Sequence, residues 1–307
     1  MMDNQIDREL LEKIADMLGK PVGAFNIRKD CGCDGRESTE NIQITSKEDK
    51  PGIDIRIKDG TVGETCHIPV IITQSGIQEM VYNDFFIGEN CDVDIIAGCG
   101  IHNCGSQDSR HDGVHTFYVG KNSRDKYTEK HFGEGDGKGG RIMNPQTVVY
   151  LEEGATIQMD TTQIRGIDST KRDTKIVCGK GAEAIVTERL LTHGEQIAES
   201  DMEIVLDGED SKGRVISRSV AQDNSNQVFY PRMVGNAQCF GHVQCDSIIM
   251  GDAKIKSIPA ITANCTEAQL VHEAAIGKIA GDQLLKLETL GLTPEEAEEC
   301  ILKGFLA

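Results

Sequence analysis

Thr147-Val148-Val149-Tyr150-Leu151-Glu152-Glu153-Gly154-Ala155-Thr156-Ile157-Gln158-Met159 is the stretch whose reading decides the fold. Two short β-rich runs, Val148–Leu151 and Thr156–Met159, flank a turn that ends on glycine. Outward from it the same unit recurs at Lys175–Cys178, Ala184–Thr187, Glu203–Leu206, Val215–Ser219, Val228–Tyr230 and Ser247–Met250. Gly154, Gly181, Gly208 and Gly235 stand at intervals of 27 residues. A fixed period of this size predicts stacked coils, each burying its inward side chains against its neighbours. Glycine suits the corners, where the chain needs a positive φ. A β-sandwich or barrel with evenly spaced hairpins gives the same alternation; the equal glycine interval favours the solenoid.

Composition fits thin stacked layers. The chain has 307 residues, 38% hydrophobic, with 33 Gly, no Trp and only 4% aromatics. Upstream, Thr65–Ile72 and Cys91–Ile96 read as strands, and the polar segment from Gly98 to Gly140 as loops linking short strands such as Thr116–Val119. Asp7 to Leu18 has helical spacing of Leu10, Leu11, Ile14, Ala15 and Leu18. After Cys265 the β pattern gives way to helices. Asp282–Leu290 is closed by Gly291, and Thr293-Pro294-Glu295-Glu296 is a capping box with proline at the first helical position. The expected organisation is an N-terminal segment over 1–60, a mainly β solenoid core over 61–265 and a C-terminal helical module over 266–307.

A net charge of −18 argues against nucleic acid as a partner, because phosphate binding needs clustered Lys and Arg. No apolar run approaches the length of a membrane span, and Met1–Lys13 is polar without the pattern of a secretory leader. With 11 cysteines, an odd number, the expectation is reduced thiols in a cytoplasmic protein.

Walker loops, dinucleotide fingerprints, Gly-x-Ser-x-Gly and Cys-x-x-Cys are all absent from the sequence. A thiolate site must therefore be assembled from distant residues or from two chains. Cys245 precedes His272-Glu273 by 27 residues, the glycine interval, so one coil would bring thiol and imidazole together. A thiolate, an imidazole and a carboxylate can bind iron; a buried core cysteine beside a hydrogen-bonded histidine fits the same pattern. Cys99, His102 and Cys104 open a second stretch, continuing through His111, His115 and His131, that reads as a metal site or as a polar surface loop. Cys31 and Cys33 read as loop thiols.

The C-terminal half resembles the SufB/SufD family. The matching pieces are Gln244-Cys245-Asp246-Ser247-Ile248-Ile249-Met250-Gly251, Ile258-Pro259-Ala260-Ile261, Val271-His272-Glu273-Ala274, Ile276-Gly277-Lys278-Ile279 with Asp282-Gln283-Leu284, and the Glu295-Glu296-Ala297 helix before Lys303-Gly304-Phe305. The resemblance implies a right-handed parallel β-helix that pairs with a second such subunit, here as a homodimer. It implies a C-terminal module that binds a SufC-like ABC ATPase, and a transient iron–sulfur cluster assembled between subunits. Cys245 resembles the family's core cysteine, and His272 and Glu273 the last two residues of its Glu-His-Glu run. Val271 replaces the first Glu, and Cys265 or Glu267 could substitute. On this reading the chain is a scaffold, and ATP hydrolysis belongs to its partner. Two alternatives are a non-ligating structural partner of the ATPase and a β-helix enzyme acting on polysaccharide. Five Tyr, eight Phe and no Trp speak against the latter.

Overall fold

The computed structural model describes residues 5–164 and 166–307. Strands make up 57% of the chain, wound into a β-solenoid of about eight turns with one helix at the N-terminal side and two at the C-terminal side. Successive coils lay one strand each on two facing sheets, and nearly every pairing is parallel. Among the described residues only the first hairpins, Ala24–Lys29 with Gly32–Glu37 and Ile42–Ser46 with Gly52–Ile57, pair antiparallel.

The rungs measure the coil. Thr156 pairs with Glu183, Ser169 with Ile197 and Glu183 with Lys212, so coils in this half hold 27 to 29 residues. The middle coils are longer: Asn83 lies against His115, a separation of 32, whereas Cys66 pairs with Ile95, 29 residues on. The glycine period is thus part signal, part coincidence. Gly154 and Gly181 occupy equivalent corners with φ of +68° and +62°, where Asn122 and Asp210 take φ of 58° and 59° in adjoining coils. Gly208 instead packs on the Gly179–Lys180 backbone, and Gly235 ends the strand Asn226–Gly235.

Alternate side chains of each strand point inward and form columns along the solenoid axis, as period-two patterning requires. One column runs Ile95, Tyr127, Met159, Val186, Val215, Val243 and His272. Its neighbour runs Ala97, Glu129, Thr161, Glu188, Ser217, Cys245 and Ala274. The first is apolar until its last member. The second is mostly polar between its alanine ends and carries the cysteine one coil before its last member.

The segment from Gly98 to Gly140 corrects the expectation of loops. Asp92–His102, Ser109–Val119 and Arg124–Glu134 are full strands within the two sheets. Their inward residues include His111, His115, Glu129 and His131, all buried. These polar groups bond to one another and so occupy core positions without an apolar pattern.

Helix α1, Gln5–Ala15, buries Leu10, Leu11 and Ile14 against Phe25, Ile27 and Ile71. It stops short of Leu18, which is exposed. Asp16 adopts φ 53° and its amide bonds back to the Glu12 carbonyl, an αL ending, while the Met17 amide reaches the Leu11 carbonyl. The helix lies close to the sheet because Gly98 and Gly100 present no side chain. A Cβ on Gly98 would stand 2.5 Å from the Ile14 carbonyl oxygen.

At the other end, α2 spans Gly281–Thr289 and α3 spans Pro294–Leu306. The Thr293–Glu296 capping box forms as expected. Leu302 and Leu306 pack on Val220, Leu191 and Ile248 of the solenoid wall, and the Arg218 guanidinium donates to the carbonyls of Phe305 and Ala307. No helix among the described residues is long and apolar enough to cross a membrane.

Candidate functional site

Cys245 sits on the penultimate strand of the first sheet, Cys239–Ile249, and His272 on the last, Gln269–Gly277. In register Cys245 opposes Ala274, and His272 opposes Val243. The histidine is therefore two residues off the cysteine's rung but on the same inward face. Diagonal neighbours of this kind are within reach of a long side chain. The His272 Nε2 lies 3.6 Å from the Cys245 Sγ. A coil of 29 residues, rather than 27, thus still joins residues 27 apart.

The environment keeps both groups neutral. Burial pushes the Cys245 thiol up to about 12; the hydroxyl of Ser257, on the opposite sheet, opposes this, while Glu188 and Asp246 reinforce it. Burial, then the neighbouring His242, lowers His272. A protonated thiol beside a neutral imidazole is a latent ligand pair. Metal binding would displace the thiol proton, leaving a thiolate beside a neutral imidazole. Cys245 is 3% exposed, yet His272 is only half-buried, because no further strand covers the last coil.

Glu273 alternates to the outer face. It opposes Gln244, is 65% exposed at its side chain, and places Oε1 3.7 Å from His242 Nε2. Cys265 and Glu267 lie in the turn before the last strand, with the Cys265 thiol 3.0 Å from the Glu267 carboxylate. They neighbour Cys239, at the opposite end of the strand from Cys245. The structure thus brings Cys245 and His272 together and leaves Glu273, Cys265 and Glu267 apart from them.

Cys99 points inward on the rung of His131, whereas Cys104 is exposed in the corner that follows, 3.0 Å from His102 Nε2. Cys31 and Cys33 are both exposed beside the first hairpin turn. Among the described residues, no group of three or more His, Cys, Asp or Glu side chains is arranged to hold a metal ion.

Sequence reasoning missed an interior polar network. His111 Nδ1 meets Glu79 at 3.2 Å, and Arg28 holds the other Glu79 oxygen at 2.5 Å. His115 Nδ1 meets the Tyr127 hydroxyl at 2.8 Å, which donates to Glu129. Arg172 then bonds Glu129 at 2.5 Å and approaches Glu188 at 3.7 Å; Ser200 and Ser217 donate to Glu188. Burial alone would raise Glu129, but Arg172 and His131 hold its carboxyl well below the usual range. Burial drops His115 to about 4. The network reaches the rung below Cys245 through Ser217. Its signal was in the sequence, as the same-face spacing of His111 with His115 and of Tyr127, Glu129 and His131.

A family model described as the SufBD core domain of the SUF system for FeS cluster assembly matches residues 72–305. An iron–sulfur cluster assembly SufBD family protein of Methanocaldococcus jannaschii is 27% identical over 275 residues, covering 88% of this chain and 86% of the relative. One from Archaeoglobus fulgidus is 26% identical, with 88% and 72% covered. One from Methanothermobacter thermautotrophicus is 26% identical over 243 residues, and there the match spans 58% of the relative's length.

Proposed function

The chain belongs to the SufBD family of iron–sulfur cluster assembly proteins, and from that premise we propose that it is a cytoplasmic scaffold subunit. It holds a nascent iron–sulfur cluster, its cargo, on Cys245 and His272 at an interface with a second subunit. The observation that carries this reading is the 3.6 Å approach of Cys245 Sγ to His272 Nε2 on the last two coils. Soft thiolate and imidazole are suitable iron ligands. Two side chains cannot complete a cluster's coordination, so a second copy of the chain supplies the rest across a homodimer interface. Glu273 faces outward, and on this reading it contributes from the rim. The terminal coil presents Ile258, Ile261, Val271 and Ile276 to solvent beside an unpaired strand edge, which supports a covering partner.

The C-terminal helices are the proposed dock for a SufC-like ABC ATPase. Between them and the solenoid wall runs a groove of about 850 Å³, lined by Leu191, Leu284, Leu302 and Leu306 with Glu295 and Glu298 at its rim. Leu285 and Leu290 remain exposed. Nucleotide-driven movement there would reach the cluster site through the packed contacts of α3 with Val220 and Ile248.

Anaerobic reconstitution with iron and sulfide tests the site. A coloured protein is expected, with Cys245→Ser and His272→Ala each losing cluster while remaining folded. Unchanged iron and sulfide content in Cys245→Ser would remove the assignment. A second reading, the non-ligating structural partner, draws on the outward Glu273 and on Val271 in place of a family carboxylate. Stable ATPase capture with no cluster in the wild type would select it.

A further inference from the structure

A second thiol centre lies far from the terminal coils, in the corner between Asp92–His102 and Ser109–Val119. Cys104 is exposed there. His102 Nε2 stands 3.0 Å from its sulfur, and His102 Nδ1 stands 3.4 Å from Glu134 Oε1 on the neighbouring coil. Lys13 of α1 fixes the other oxygen of Glu134 at 2.7 Å and lies over the Phe132 ring. The order is nucleophile, base, orienting acid, each within or near hydrogen-bond reach of the next. With Nδ1–H engaged by Glu134, the free lone pair of His102 is on Nε2, facing the thiol. Asp136 also approaches Cys104 and accepts from it. The groups facing the thiol are therefore one imidazole and one carboxylate, with Glu134 behind the imidazole and the Lys13 ammonium behind Glu134.

We propose that Cys104, His102 and Glu134 form a nucleophilic thiol centre that attacks the sulfur–sulfur bond of a small disulfide or persulfide. His102 Nε2 takes the proton of the Cys104 thiol. The thiolate attacks one sulfur of the substrate, a new S–S bond forms to Cys104, and the original S–S bond breaks. The departing thiolate takes the proton back from the His102 imidazolium. The protein thiol is oxidised to the disulfide or persulfide level, and the substrate is reduced to a thiol. Access supports this choice of chemistry. The corner opens to solvent, whereas Cys99, five residues earlier, is buried and its thiol is pushed well up by burial. A metal role fits less well, since Cys99 faces the interior while His102 and Cys104 meet at the surface.

The test is a timed reaction of the full chain with glutathione disulfide, and separately with glutathione persulfide, near neutral pH. Quenched samples are mapped peptide by peptide by mass spectrometry. Cys31, Cys33 and Cys300, exposed but outside any such cluster, serve as internal references. Cys104 should react about tenfold faster than these or more, as positioned base catalysis provides. His102→Gln should bring Cys104 down to the reference rate, and Glu134→Gln should lower the rate and shift its pH midpoint, with circular dichroism unchanged for both. A glutathionyl adduct identifies disulfide chemistry, and a single added sulfur identifies persulfide chemistry; either supports the centre. Cys245→Ser should leave the Cys104 rate unchanged, which separates this centre from the cluster site. A Cys104 no faster than the reference thiols, or one indifferent to His102→Gln, overturns the proposal.

Discussion

Asp125 offers a sharp test of how the solenoid interior governs stability. It points inward on the strand Arg124–Glu134, between Ile157 on one side and Val93 on the other, and is 3% exposed. The Val93 amide approaches it, but neither carboxylate oxygen has a hydrogen bond of ordinary geometry. Burial raises its carboxyl from 3.8 to about 7, with Asp92 adding to the rise. In the unfolded chain the proton leaves near pH 4; in the native chain it stays until about pH 7. The native state is thus unpenalised below pH 4 and loses stability as pH rises toward 7. Three pKa units at 1.36 kcal/mol each make that loss about 4 kcal/mol. Asp125→Asn removes the titration. Urea midpoints of wild type and variant, measured side by side from pH 4 to 8, isolate this one group because other titrations cancel in the difference. The variant's relative stability should climb by roughly 4 kcal/mol over that range and level off above it. A difference independent of pH would refute the argument, and would mean that water or a structural adjustment solvates the carboxylate.

Other outcomes follow from the same physics. Arg172→Met strands Glu129 and Glu188 in the interior without their cation and should cost about 3–5 kcal/mol, read from thermal or urea unfolding. Gly98→Val drives a side chain into the backbone of α1 and should cost about 1–3 kcal/mol, with faster proteolysis within residues 5–15 as the local sign that the helix has lifted. Buried and protonated, Cys245 should react with iodoacetamide at pH 8 at least about tenfold more slowly than exposed Cys31 and Cys33, as followed by peptide mapping.

The strands from Thr147 onward were legible because one inward column is apolar: Ile157, Met159, Val186 and Val215 announce a period of two, although Thr161, Glu188 and Ser217 share the interior. The strands between Asp92 and Glu134 were not, because His111, His115, Glu129 and His131 take inward positions and satisfy one another across coils. No single segment carries the information that its partners lie a coil away. The meeting of Cys245 and His272 was legible through an interval of 27, although the local coil is 29 and the contact is diagonal. The placement of Glu273 follows from strand alternation, which sends adjacent residues to opposite faces. The end of α1 turned on Asp16, a residue that accepts the left-handed conformation more readily than most. The Cys104 centre joins a corner to the next strand over, and spacing alone cannot reveal it.

The change in coil length from 32 residues to between 27 and 29 carries an evolutionary consequence. The surplus is taken up at corners such as the one that holds Cys104, while the rungs on either side keep their pairing. Because each coil touches only those beside it, an insertion is a local event. New chemistry can therefore be tried at a corner without renegotiating the core. The solenoid acts as a rack on which corner loops are exchangeable parts, and only the end face at Cys245 and His272 is committed in advance.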